Sequence, residues 1–169
     1  GCAWARDYFH DLRVVAGSLF RDSDAPCLKR LFVTRSSNHV THRRIINEVE
    51  VNSFMESCGF TLIDPGMLSY EEQALIFRDA EIIVGVHGAG LSNIAFANAE
   101  CLLVELMPWG LNDVGYRMLA SSIGLKYTCI YCAVHINTAL DAPYQTIPYA
   151  DIEVDLQILE EALEEHWSY

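Results

Sequence analysis

Short, nearly continuous apolar runs alternate along the chain with segments whose apolar residues recur at helical spacing. The runs are rich in β-branched and aromatic residues, which predicts strands. The predicted strands span 30–35, 60–65, 81–88, 101–108 and 126–134. The helical spacing predicts helices at 3–16, 42–57, 69–79, 112–122 and 154–167, with a further short helix after Gly90.

Turn and cap signals separate these elements. Gly59 is expected to end the second helix, and Pro65-Gly66 closes the second strand. Ser69 and Glu72 have the spacing of a capping box, which predicts the start of the third helix. The segments at 36–40 and 136–149 are expected to be loops.

The alternation of strands and helices predicts an α/β fold. Strands that are apolar on both faces are typical of a parallel sheet covered by helices on both sides. We therefore expect one Rossmann-like, doubly wound domain over residues 1–169, with no internal repeat.

The charge distribution narrows the class of partner. The formal net charge is −12, which argues against nucleic acid, because phosphate backbones reward basic surfaces. The span 29–44 nevertheless holds five of the 11 basic residues and no Asp or Glu. This local concentration suits a small anionic ligand, although a solvated loop and helix face would also account for it.

The lengths of the apolar runs and the layout of the N-terminal residues indicate where in the cell the protein is expected to be. No apolar run approaches the roughly 18 residues of a membrane-spanning helix. The first residues have no signal-peptide layout, begin without Met and resemble the middle of an amphipathic helix. We expect a fragment of a longer cytoplasmic protein, with peripheral membrane association left open.

The six cysteines are expected to be buried free thiols in a reducing compartment. Cys129 and Cys132 form a CxxC spacing, which also raises the alternative of a zinc or redox site. They lie in a predicted strand, however, where residues three apart point to opposite faces. With no second CxxC in the chain, a structural role is favoured.

Polar residues follow the predicted strands at one edge of the sheet, where open α/β sheets bind ligands. They are Arg35, Asp64, the run His87-Gly88-Ala89-Gly90 and Glu105. The glycines would let the backbone approach a phosphate, and the helix that follows would direct its free N–H groups toward the phosphate. His87, Ser92 and Asn93 could add hydrogen bonds, Arg35 and Arg44 could neutralise charge, and Glu105 could accept from a ribose diol.

The glycine run is not specific by itself. It is neither the GxGxxG dinucleotide fingerprint nor a P-loop, because no Gly-Lys-Ser/Thr follows it. A tight strand-to-helix turn with a hydrogen-bonded histidine is the alternative interpretation.

The ordered set "LFVTR", "RRIINE", "EEQALIFRDAEIIVGVHGAGLSNIAF" and "LLVEL" resembles glycosyltransferase family 61 over residues 29–107. That family includes bacterial capsular-polysaccharide enzymes, the type expected here, and eukaryotic xylosyl- and N-acetylglucosaminyltransferases. The resemblance implies a GT-B architecture of two Rossmann-like domains, of which this chain would be the C-terminal, donor-binding one. It also implies a nucleotide-sugar donor, a glycan or other hydroxyl acceptor, an inverting reaction, no metal ion and a further N-terminal domain of the same protein.

Matching positions carry the family's substrate-binding residues to this chain. They are Arg35, Arg44, Asn47, His87, Gly88, Ala89, Gly90, Leu91, Ser92 and Glu105. Arg43 is an alternative to Arg44, Asn47 and Glu48 could instead hold the helix and Arg35, and Leu91 could instead pack the turn. For the general base, His87 is the catalytic candidate. The N-terminal half is an alternative, and Asp64 is a weaker one because Asp-Pro-Gly is an ordinary turn.

Two other function classes fit an α/β domain. One is a non-catalytic, flavodoxin-like module that binds a nucleotide or flavin. A response-regulator receiver of this type would place acidic residues after the first strand, where this chain has Arg35. The other is a nicotinamide-dependent oxidoreductase, which would need the early glycine fingerprint.

Overall fold

Six strands form one sheet in the computed structural model, which describes residues 3–19, 27–35, 43–136, 138 and 145–165. Their order across the sheet is β2-β1-β3-β4-β5-β6. Neighbouring strands pair in parallel from β2 to β5, whereas β6 pairs antiparallel with β5. The strands are β1 Arg30–Val33, β2 Thr61–Ile63, β3 Ile82–Val86, β4 Leu102–Pro108, β5 Lys126–His135 and β6 Asp151–Glu153.

Helices cover both faces of the sheet, as the apolar strands predicted. Helices α1, α3 and α4 pack with one hydrophobic cluster, and α2 and α5 pack with the other. Every residue of β4 is buried, which is the pattern of a strand enclosed on both sides. The helices are α1 Ala3–Leu19, α2 Glu48–Ser57, α3 Tyr70–Arg78, α4 Gly115–Ile123 and α5 Leu156–Glu164, with 3₁₀ helices at Pro65–Met67, Ala89–Phe96 and Ile147–Tyr149.

The predicted α/β fold and its five parallel strands are confirmed, and the sixth strand corrects the expectation of a purely parallel sheet. β6 is only three residues long, so alternation along the sequence does not reveal it. Among the described helices, none is both long enough and apolar enough to cross a membrane. The predicted loop at 36–40 lies outside the described residues, as do 137 and 139–144 of the loop at 136–149.

The helix predicted over 42–57 begins six residues later than expected. Arg43 has φ of 58°, and the next residues run extended beside β6, where Ile45 bridges Ile152. This pairing provides partners for backbone groups that the helix would otherwise have satisfied. The spacing of Ile45, Ile46, Val49 and Phe54 predicted this helix, but it does not mark the buried face, because Val49 is 79% exposed and α2 buries Val51 instead.

The local cap signals are confirmed. The Ser69 side chain accepts from the backbone N–H of Glu72, whose carboxylate in turn accepts from the N–H of Ser69. Gly59 follows α2 with φ of 77°, a conformation that glycine adopts without a Cβ penalty. These interactions involve residues at most three apart, which is why the sequence alone was sufficient to predict them.

Candidate functional site

The order of the strands reverses between β1 and β3, and this switch point opens a groove at the carboxyl edge of the sheet. The groove holds about 570 Å³, counting its open side. One wall comes from the ends of β1 and β3, and the other from α2 and the segment before it. The lining residues are Phe32, Val33, Thr34, Arg35, Arg43, Arg44, Ile45, Glu48, Asn52, Val86 and Gly90.

Gly88 brings the backbone close to two arginines at the tip of β3. It adopts φ of 157° and ψ of 177°, which is nearly restricted to glycine. A Cβ at this position would collide with the guanidinium of Arg35 and would lie 3.5 Å from Nη1 of Arg43. Both guanidinium groups therefore lie against the peptide at Gly88, and only a residue without a side chain fits beneath them.

Arg35 and Arg43 form a pair of like charges. Burial, and secondly the proximity of Arg43, lower the pKa of Arg35. Arg43 donates through Nε to the carbonyl oxygen of Pro148 at 2.5 Å and lies 5.6 Å from the ring centre of Tyr149. Among the described residues, no carboxylate forms an ion pair with either arginine. Two half-buried cations at a glycine-lined backbone, neither in an ion pair with a carboxylate in the described part of the chain, are an arrangement suited to binding an anion.

The structure distinguishes between Arg43 and Arg44. The guanidinium of Arg44 donates to Oδ2 of Asp151 at 2.6 and 3.1 Å, and its backbone N–H donates to Oδ1 at 2.9 Å. Asp151 is only 4% exposed, so this ion pair anchors the segment to β6. Arg44 therefore lines the groove with its charge already matched by Asp151, and the cation beside Arg35 is Arg43, the alternative that the sequence left open.

His87 belongs to a buried network that reaches three strands. Its Nδ1 lies 2.6 Å from Oε1 of Glu105, and the hydroxyl of Tyr127 donates to Oε2 at 2.7 Å. In the sheet, Glu105 stands opposite Gly85 on β3, where no side chain separates the carboxylate from His87. Burial, followed by the hydrogen bond to Glu105, raises the pKa of Tyr127 and keeps the phenol protonated as a donor.

This network corrects the expectation that Glu105 binds a ribose. Glu105 is 0% exposed, and each of its carboxylate oxygens has a partner within the protein. Its position fixes the orientation of the imidazole ring and satisfies Nδ1, so that Nε2 is the ring nitrogen that points away from Glu105, toward Asp113.

Two further side chains surround the imidazole. Oδ2 of Asp113 lies 3.5 Å from Nε2 of His87, and the Tyr116 ring packs edge-on with centroids 5.4 Å apart. The Tyr116 hydroxyl donates to the carbonyl oxygen of Gly88 at 2.6 Å. No pattern in the sequence indicated these residues or Tyr127, since they come from the loop before α4, from α4 itself and from the start of β5.

Of the other candidates, Leu91 and Asn47 hold the structure around the site, while Gly90, Ala89 and Ser92 lie at the groove or at the surface. Leu91 is 0% exposed in the core, and both ends of the Asn47 amide bond the backbone of Val154, so the expectation that they bind substrate is corrected. Gly90 packs closely against β1, where an added Cβ would be 3.1 Å from Cγ1 of Val33. Ala89 and Ser92 are exposed at the turn.

Asp64 and the CxxC pair behave as the structural interpretations predicted, but the expectation that all cysteines are buried is wrong, because among the five described ones only Cys101 and Cys132 are buried and Cys27 is exposed. Asp64 accepts from the backbone N–H of Gly66 at 2.9 Å and caps the 3₁₀ turn. Cys132 lies in the cluster under α2 and α5, while Cys129 contacts Tyr127 on the opposite face. Burial raises the pKa of Cys132 and of Cys101 to about 12, so both stay protonated and unreactive near neutral pH.

Comparison with known proteins connects this geometry to a family. The family model described as Glycosyltransferase 61 matches residues 3–104. Alpha-1,3-arabinosyltransferase XAT3 of Oryza sativa subsp. japonica is 32% identical over 125 residues, which cover 66% of this chain and 21% of that protein. Beta-1,2-xylosyltransferase of Arabidopsis thaliana is 28% identical over 132 residues, which cover 66% of this chain and 24% of that protein.

A third relative is an animal protein. The EGF domain-specific O-linked N-acetylglucosamine transferase of Drosophila melanogaster is 29% identical over 108 residues, which cover 60% of this chain and 20% of that protein. The chain therefore spans about a fifth to a quarter of the length of these relatives.

Proposed function

Because this chain belongs to glycosyltransferase family 61, we propose that it is the donor-binding part of a glycosyltransferase. The enzyme transfers a sugar from a nucleotide sugar to a glycan or another hydroxyl acceptor. The observation that carries this proposal is the pair Arg35 and Arg43, held over the Gly88 backbone without a carboxylate partner among the described residues.

The diphosphate of the donor binds at this pair. Arg35 presents its planar guanidinium to phosphate oxygens, and Arg43 adds a second positive charge from the segment before α2. As the glycosidic bond to the diphosphate breaks, negative charge grows on the leaving group, and fixed cations stabilise that charge without reorganising. The reaction then needs no metal ion, in keeping with the expected metal-independent mechanism.

His87 acts at the sugar side of the diphosphate. Glu105 holds the ring through Nδ1, so Nε2 is the atom that contacts the leaving phosphate. In an inverting transfer the acceptor attacks from the face opposite the leaving group, so the general base lies on that other face. We place the acceptor and that base in a preceding N-terminal domain, in the GT-B arrangement that the family resemblance implies.

One feature of the structure, the order of its strands, also fits the flavodoxin-like alternative. The order β2-β1-β3-β4-β5 is also that of flavodoxin-like sheets, whose ligands bind at the same switch point. Strand order does not specify chemistry, however, and the family assignment favours the transferase.

Calorimetric titration of the full-length protein with UDP, GDP and CMP tests the proposal. At least one nucleotide is expected to bind in the presence of EDTA. Arg35→Ala should weaken that binding on the order of tenfold to a hundredfold, the value of one or two charge-assisted hydrogen bonds.

Lys126→Ala is the matched control, since it removes one positive charge at the opposite edge of the sheet, at the start of β5. It should leave the affinity unchanged. Absence of binding by the folded wild-type protein to all three nucleotides would overturn the proposal.

A further inference from the structure

Two large aromatic side chains lie exposed together at the carboxyl edge of the sheet, over β4 and β5. Trp109 is 65% exposed and Tyr131 is 53% exposed. Their rings meet edge to face, with centroids 5.5 Å apart. Aromatic rings of this size are normally buried, so two that stay exposed in contact with each other indicate a binding surface.

The backbone under this aromatic pair is held in place by the sheet. The N–H of Trp109 donates to the carbonyl oxygen of Cys132 at 2.9 Å, which continues the pairing of β4 with β5 past the last residue of β4. The chain then turns, and the N–H of Leu111 donates to the carbonyl oxygen of Pro108 at 3.0 Å. A surface that is already ordered loses little conformational freedom when a ligand binds.

The aromatic pair is on the same face of the sheet as the buried network around His87. Trp109 comes four residues after Glu105 along β4 and its extension. Tyr131 comes four residues after Tyr127 along β5. Side chains separated by an even number of residues share a face of a strand. The register of β3 and β4 places Trp109 two residues beyond the position opposite His87, so that their Cα atoms are about 8 Å apart.

Polar side chains next to the aromatic pair can bind hydroxyl groups. Asn112 and Asp113 are exposed in the loop between Trp109 and α4. Oδ2 of Asp113 lies 3.5 Å from Nε2 of His87, so this loop connects the aromatic pair with the imidazole ring of the donor site. A sugar ring has C–H groups that pack on the negative face of an aromatic ring and hydroxyls that bind amides and carboxylates. Both kinds of partner are present here.

The order of these groups across the sheet matches the order of the groups that meet in a glycosyl transfer. Arg35 and Gly88 lie at the ends of β1 and β3, where the diphosphate is proposed to bind. His87 and Asp113 follow over β3 and β4, and the aromatic pair lies over β4 and β5. A saccharide bound at the aromatic pair is therefore on the far side of the transferred sugar from the diphosphate, which is the acceptor side.

We propose that Trp109 and Tyr131 bind a sugar unit of the acceptor glycan, with the ring packed on the exposed aromatic face and its hydroxyls bound by Asn112. The proposal rests on the proposed function, since only a transferase has an acceptor. The reacting unit of the acceptor remains with the preceding domain, and a neighbouring unit of the same glycan reaches Trp109. This chain then contributes to the choice of acceptor as well as binding the donor.

An array of defined neutral and acidic oligosaccharides, probed with the full-length protein, supplies the test ligand. The oligosaccharide that binds most tightly is carried forward, and a neutral one is expected because the net charge of the chain is −12. Trp109→Ala should weaken its binding at least tenfold, and Tyr131→Ala should weaken it severalfold. Trp109→Phe keeps an aromatic face and should bind within about threefold of the wild type. Nucleotide affinity should stay within about twofold in all three variants.

Steady-state kinetics with the same oligosaccharide separates acceptor binding from chemistry. Trp109→Ala should raise the KM for the acceptor at least tenfold while the KM for the donor stays within about twofold. Tyr70→Ala is the matched control, because Tyr70 is a 90% exposed aromatic residue at the start of α3, outside the aromatic pair. It should leave both KM values unchanged.

The outcomes separate the two proposals. If Trp109→Ala and Tyr131→Ala bind the oligosaccharide as the wild type does, the acceptor site is wrong, and a lowered thermal midpoint in these variants would show that the aromatic pair packs against the preceding domain instead. Should Trp109→Ala fail to fold, Tyr131→Ala decides. If the wild type retains no oligosaccharide but binds a nucleotide, the acceptor site is overturned and the proposed function stands. If it binds no nucleotide, the proposed function fails.

Discussion

Replacing Glu105 tests whether the buried network on β3, β4 and β5 is organised as described. Glu105→Leu leaves two donors, the Nδ1–H of His87 and the hydroxyl of Tyr127, buried without an acceptor. Each orphaned donor costs about 1–3 kcal/mol, so the substitution should destabilise the sheet by about 2–6 kcal/mol. Glu105→Gln should cost only about 1–2 kcal/mol, because its amide oxygen can still accept from His87 and its amide nitrogen can donate to the tyrosine oxygen.

Hydrogen exchange of the peptide over Leu102–Pro108, followed by mass spectrometry, measures this loss as the free energy of local opening in the full-length protein. The sharpest comparison adds Tyr127→Phe. In the wild-type background that change should cost about 1 kcal/mol, whereas in Glu105→Leu it should be neutral or stabilising, because it removes one orphaned hydroxyl. An equal cost of Tyr127→Phe in both backgrounds would refute the proposed network.

Three further predictions follow from the packing around the site. Arg44→Ala should lower the free energy of unfolding by about 1–3 kcal/mol, because it removes the cation that pairs with the buried Asp151. Nucleotide affinity should stay within about twofold of the wild type. A fall of tenfold or more in affinity, measured by titration, would contradict the assignment of Arg44 to Asp151. Asn47→Ala should destabilise by about 1–3 kcal/mol through the two lost bonds to Val154, and an unchanged thermal midpoint would contradict it. In the folded protein, Cys27 should react with a thiol reagent at pH 8, whereas Cys101 and Cys132 should react only after unfolding, because burial raises their pKa to about 12. Mass-spectrometric mapping of the labelled peptides distinguishes the three thiols. Labelling of Cys101 or Cys132 in the native state would show that these thiols are not buried as described.

Short-range patterns were sufficient to predict most of the fold. The continuous apolar runs predicted five strands, and the capping box predicted the start of α3 to the residue. The same patterns placed Arg35, His87 and Glu105 at one edge, because parallel strands bring their carboxyl ends together. The position of these three residues at one edge follows from the strand topology alone.

The details that depend on register and on distant contacts could not be predicted. Arg43 and Arg44 are neighbours, and only the positive φ at Arg43 and the pairing of the next residues with β6 decide which guanidinium lies beside Arg35 and which pairs with Asp151. Tyr127 reaches Glu105 because it lies two residues before Cys129, the partner of Glu105 across the sheet.

A crystal structure of the full-length protein with its preferred nucleoside diphosphate would show whether the donor diphosphate binds at the switch point. We expect phosphate oxygens within hydrogen-bond distance of the Arg35 guanidinium and beside the Gly88 backbone, with Arg44 still paired to Asp151. Well-ordered nucleotide bound elsewhere, with no phosphate near Arg35 or Gly88, would contradict the claim that the switch point between β1 and β3 is the donor site.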